Sequence, residues 1–118
     1  MSISQLFKNS PLQLKAILRI VKDDEPVFGL GRLQLLEQIE KTGSINQAAK
    51  NMGMSYKKAW QMISSMNEHA KVPLILTQTG GSSGGGALVT AEGEEIINYY
   101  KDLMITYLQQ QYFLNQIL

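Results

Sequence analysis

Gly43–His69, GSINQAAKNMGMSYKKAWQMISSMNEH, decides the fold. It reads as two short helices joined by a tight turn. Ser44 is a good N-cap, and Gln47, three residues on, completes a capping-box pattern. Ala48, Ala49 and Met52 give the first helix a small apolar face that lets a second helix cross closely. Gly53 stands where the chain must change direction, and glycine accepts positive φ without strain. Met54 plugs the turn and Ser55 caps the second helix, whose Ala59, Met62, Ile63 and Met66 recur at helical spacing. The opposite face carries Tyr56, Lys57, Lys58, Gln61, Ser64 and Ser65. Lysines and hydroxyls bind phosphates and a glutamine reads a base edge, so this face has the chemistry of a recognition helix. The same face also fits an ordinary solvated helix.

Working outward, GLGRLQLLEQIE precedes this stretch and TGGSSGGGALVTAEGEEI follows it. In this order and spacing the segments resemble the N-terminal winged-helix domain of the ModE family, molybdate-responsive transcriptional regulators. The AA-x-x-M-x-M-S run is also similar to the helix-turn-helix of LysR-type regulators. The resemblance covers residues 14–103. It implies a double-stranded DNA partner, with Ser55, Tyr56, Lys57, Lys58, Gln61 and Ser64 at the major groove and Ser44 and Gln47 holding the supporting helix. Gly81, Ser82, Ser83 and Gly84 would then meet an adjacent groove or the backbone. The family's wing usually carries a basic residue. Here Ser82 and Ser83 stand at the tip and Thr77-Gln78 precede it, so a wing contact must come from hydroxyls and backbone N–H groups.

Within the 118 residues there is room for one small domain, and the expected fold is mainly α with small β: a winged helix-turn-helix with an N-terminal β-hairpin and a long C-terminal dimerisation helix. The absence of cysteine excludes disulfides and thiolate metal sites. No apolar run is long enough to span a bilayer and no secretory signal opens the chain, so a cytoplasmic protein is expected. Net charge is only +1, yet it is segregated: residues 41–91 hold five lysines and one acid, and residues 92–118 hold four acids and one lysine. That suits a DNA-facing side and a side turned away from phosphate.

The hairpin is placed at residues 12–28, with a strand over Leu12–Val21, a polar turn over Lys22–Pro26 and a return from Val27. Gly29-Leu30-Gly31 reads as a loop, and Arg32–Thr42 as a helix with Leu33, Leu36 and Ile39 inward and Leu35 to one side. Arg32 either reaches a phosphate or pairs with an acid. Trp60 is expected to pack partly inward and Tyr56 to be the exposed aromatic. The wing spans 74–90, with a strand over Leu74–Thr79, a glycine-rich tip and a return over Ala87–Val89.

Thr90 caps a last helix over 91–115, with Glu92, Glu94 and Glu95 in its first turns where the dipole favours them. That helix is too apolar on several sides for one small domain to cover. Ile96, Tyr100, Leu103, Met104, Tyr107, Leu108 and Leu114 are therefore expected to form a two-fold dimer interface, matching a palindromic operator.

Two other classes compete. A winged-helix protein-interaction module that no longer binds DNA would account for the low charge and the uncharged wing. An enzyme finds little to work with: His69 is the sole histidine, and no nucleophile, base and orienter form a set. No metal or cofactor is expected. Molybdate is not expected as a ligand, because the family senses it through a separate domain beyond the winged helix.

Overall fold

The computed structural model describes residues 1–9, 11–78 and 86–118. A short 3-10 turn, Ile3–Leu6, is followed by the hairpin β1 (Arg19–Lys22) and β2 (Glu25–Gly29), then helices α1 (Leu30–Thr42), α2 (Ile45–Asn51) and α3 (Tyr56–His69). The second hairpin, β3 (Ile75–Thr77) and β4 (Ala87–Val89), leads into α4 (Ala91–Asn115). Both hairpins are two-stranded and antiparallel. The architecture is mainly helical, a winged helix-turn-helix with an N-terminal hairpin and a long C-terminal helix.

The first hairpin is shorter and tighter than the sequence suggests. Its turn is Asp23-Asp24, both at positive φ (51° and 65°), and Pro26 already lies in the return strand. Two consecutive positive φ values make the turn that suits the twist of a two-residue hairpin. The ladder ends at Arg19 opposite Gly29, because β2 passes directly into α1 at Leu30. Residues 12–18, expected as strand, thus have no strand to pair with. They run along α4 instead: Leu14 N donates to Asn115 Oδ1 (2.7 Å), Ala16 N to Tyr107 Oη (2.7 Å), and Gln111 Nε2 to the Leu14 carbonyl (2.8 Å).

Helix α1 starts at Leu30, so Gly31 is helical and not part of a loop. It lies against α2, β2, β4 and α4. This surrounds it on more than one side, which is why Leu35 is as fully buried as Leu33, Leu36 and Ile39. The helix stops at Gly43 (φ 66°), and Gly53 (φ 67°) makes the turn between α2 and α3. The core joins Phe28 of β2, these α1 residues, Ala48 and Ala49 of α2, Ala59, Ile63 and Met66 of α3, Ile75, Ile97 and Tyr100.

Tyr100, expected at a dimer interface, belongs to this core. It is 2 % exposed, its ring meets Phe28 edge-on at 5.4 Å, and its hydroxyl donates to the Leu18 carbonyl (2.8 Å). Burial pushes its phenol up. Ile96 and Met104 also pack onto the core, and Met104 is the last α4 residue to do so. Tyr100, fully buried within its own chain, has no surface left for a partner, whereas Ile96 and Met104 are only partly buried.

Candidate nucleic-acid interface

Two serine caps set the helix-turn-helix. Ser44 Oγ accepts from Gln47 N (3.1 Å) and Ser55 Oγ from Lys58 N (3.0 Å). Only half of the capping box forms at α2. The Gln47 side chain donates to Asn51 Oδ1 (2.9 Å), and Asn51 in turn donates to Gln38 Oε1 of α1 (2.9 Å). The Ser44 N–H, which Gln47 would have taken, donates to Thr42 Oγ1 (3.2 Å). Through Asn51, Gln47 links α2 to Gln38 of α1, while Gln47 itself stays exposed.

The buried positions of α3 are Ala59, Ile63 and Met66. Their spacing leaves Tyr56, Lys57, Lys58, Gln61 and Ser64 exposed around the rest of the helix. Lys50 of α2 is also exposed. Trp60, expected to pack partly inward, is 40 % exposed, close to the 47 % of Tyr56. The small Ala59 beside it is one of the three residues that seat α3 on the core. Gly81, Ser82, Ser83 and Gly84 lie outside the described residues. The described part of the wing is closed by Gln78 N donating to the Gly86 carbonyl (2.9 Å) and held to the end of α1 by Ala87 N donating to the Gly43 carbonyl (3.0 Å).

Three further side chains, Arg32, Asn67 and His69, orient α3. Among the described residues Arg32 pairs with no acid: Nη1 donates to the Pro26 carbonyl (3.1 Å) and Nη2 to Ser65 Oγ (3.0 Å). It ties β2 to α3, and burial lowers its pKa. Asn67 Oδ1 accepts from Leu74 N (2.8 Å) and Ile75 N (3.2 Å), while its Nδ2 donates to the Ile75 carbonyl (2.9 Å). One amide thus sets where β3 leaves α3. The sequence signal for it is an asparagine near a helix end, a residue that competes well for local backbone groups.

His69 ends α3. Its Nδ1 faces the Ser65 carbonyl at 2.8 Å and its Nε2 faces Glu25 Oε2 at 3.1 Å. Both partners accept, so both ring nitrogens donate only in the imidazolium form. The Ser65 carbonyl and then Glu25 accordingly raise its pKa.

Among the described residues no cluster of three His, Asp or Glu side chains is placed to hold a metal. No helix among them is long and apolar enough to cross a membrane.

Residues 30–94 match the model of the bacterial regulatory helix-turn-helix proteins, lysR family. The chain is 49 % identical over 82 residues to the transcriptional regulator ModE of Yersinia pestis, covering 70 % of this chain and 30 % of that one. It is 47 % identical over 76 residues to the molybdenum transport protein ModE of Azotobacter vinelandii, 64 % of this chain and 28 % of that one. To the DNA-binding transcriptional dual regulator ModE of Escherichia coli K12 it is 42 % identical over 82 residues, 70 % and 30 %. The match thus spans under a third of the length of these relatives. The matched family segment runs from the start of α1 into the first turn of α4 and contains both capped helices with their exposed face. This chain belongs to the bacterial regulatory helix-turn-helix proteins of the lysR family.

Proposed function

We propose that the protein is a sequence-specific, DNA-binding transcriptional regulator of the ModE type, acting as a homodimer. One winged-helix domain would supply each half of the interface, with α3 in the major groove and the wing beside it. The observation that carries this reading is the exposed face of α3, where Lys57, Lys58, Gln61 and Ser64 stand free on a helix fixed from behind by Ala59, Ile63, Arg32 and Asn67. A rigidly seated helix with two cations and two hydrogen-bonding side chains outward can both grip phosphates and read bases. Dimerisation rests on α4, where Leu103, Leu108 and Leu114 stay exposed and Tyr107 is half-buried.

The test is fluorescence-anisotropy binding to a random-site DNA pool across a salt series. Binding should weaken linearly with log salt and enrich a palindrome, and the Lys57→Ala/Lys58→Ala variant should lose about two from the slope. Absence of binding at low salt would reject the reading. The low net charge would then favour a protein-interaction module, with the α3 face covered by a protein.

A further inference from the structure

The α3 face contains a feature that phosphate binding does not explain. Tyr56 and Trp60 lie one turn apart and both are exposed, to 47 % and 40 %. At helical spacing they share a flank with Asn67, the residue whose amide holds the start of β3. The two rings therefore form an apolar ridge along the side of α3 that leads to the wing. Lys57 and Ser64 border it, with Gln61 farther round, all exposed. Nothing in the core needs this ridge outside: Ala59, Ile63 and Met66 already seat the helix.

We infer that the Tyr56–Trp60 ridge is a specificity element that reads thymine C5-methyl groups in the major groove. The inference rests on the DNA-binding reading above. Thymine is the one base that offers an apolar group on the major-groove edge, and apolar side chains recognise it there. On that edge the pyrimidine C5 position is the one nearest its own strand's backbone. A ridge on the flank of a helix, and not at its outermost line, meets this backbone-proximal part of the groove. The polar residues next to it, Gln61 and Ser64, stand closer to the outermost line of α3, where hydrogen-bonding edges are presented. The charge balance agrees with the division of labour. With a net charge of +1 and no cation in the glycine-rich stretch between β3 and β4, phosphate attraction is modest, and affinity must draw on contacts that salt does not screen.

The test uses the DNA pool enriched by the wild-type protein, amplified once with thymidine and once with deoxyuridine triphosphate, which removes only the methyl groups. Anisotropy is measured on both for the wild type, Trp60→Ala and Trp60→Phe, after circular dichroism shows the same helix content for all three. The wild type is expected to bind the uracil pool about fourfold more weakly for each methyl group contacted. Trp60→Ala should bind the thymine pool more weakly than the wild type and show a smaller thymine-to-uracil ratio, with Tyr56 keeping the remainder. Trp60→Phe, which keeps a ring, should retain part of the preference. An unchanged thymine-to-uracil ratio in Trp60→Ala, or a wild type indifferent to the methyl groups, overturns the inference while leaving DNA binding intact. Failure of the wild type to bind either pool at low salt removes the DNA-binding reading, and the inference with it.

Discussion

At the residue scale, the sharpest electrostatic feature lies away from the α3 face. Glu40 of α1 shares a hydrogen bond with Glu94 of α4, and this, with partial burial and the charges of Glu94 and Glu37, pushes its carboxyl up to about 7. Lys101, 2.9 Å from Glu37 Oε2, acts in the opposite direction on Glu40. Protonating Glu40 relieves the repulsion from the neighbouring carboxylates. Because the folded pKa is raised, the proton-linked stability is fully present below the unfolded carboxyl value near 4.5 and is lost as pH rises through about 7. Wild-type melting temperature should therefore fall between about pH 5 and about pH 8, and Glu40→Gln should flatten that fall. Thermal unfolding followed by circular dichroism at the two pH values checks it. A Gln variant with the same pH dependence as the wild type would show that the Glu40–Glu94 contact does not form. His69 runs with the same sign, since its raised pKa adds stability below its ordinary value that fades as the ring loses its charge.

At the element scale, the close approach of α4 to the second hairpin depends on one atom's absence. A Cβ on Gly93 would collide with the Leu74 carbonyl and stand 2.7 Å from Val89 Cγ1. The same junction is closed by Thr90, which caps α4 through its hydroxyl, accepting from Gly93 N (3.1 Å), and whose N–H donates to the Leu74 carbonyl (2.9 Å). Alanine is the better helix former, so propensity alone predicts that Gly93→Ala stabilises the protein. The packing predicts the opposite, by about 1–3 kcal/mol, because the backbone of β3 must move. Urea unfolding decides between them, and a stabilised variant would mean that α4 sits farther from β3. The register of β3 carries the wing, so the variant is also expected to weaken DNA binding.

At the scale of the whole molecule, the chain is long and thin, 64 × 29 × 24 Å, because α4 continues past Met104, its last contact with the core. The N-terminal segment lies along this extension, ending with Ser4 N donating to the Leu118 carbonyl (3.1 Å). It leaves Leu103, Leu108, Tyr112 and Phe113 largely in water. A single chain does not commonly leave that much apolar helix uncovered. Leu103→Lys/Leu108→Lys should convert a dimer to a folded monomer in sedimentation velocity at tens of micromolar. DNA affinity should fall at the same time, since a palindrome is then bound one half-site at a time. A wild type that sediments as a monomer would reject the dimer. A doubly substituted protein that stays dimeric would move the interface away from α4.

The helix-turn-helix was legible from residues alone because its determinants are local. Ser44 and Ser55 cap, Gly43 and Gly53 reverse the chain, and Ala59, Ile63 and Met66 recur within a single helix, so each signal acts over a few residues. The exposed polar side of α3 follows from the same periodicity. Tertiary structure alone decided the rest, because those outcomes depend on what lies across a gap in the chain. Residues 12–18 have strand-like alternation, but the end of β2 at Gly29 leaves them no ladder and α4 captures them. Tyr100 shares a stripe with Leu103 and Tyr107, yet Phe28 and the Leu18 carbonyl draw it into the core while Leu103 stays out. Arg32 and His69 had polar partners waiting in Ser65 and the first hairpin, which no local spacing reveals. Periodicity states which face of a helix is apolar; only the packed chain states how much of that face it can cover itself.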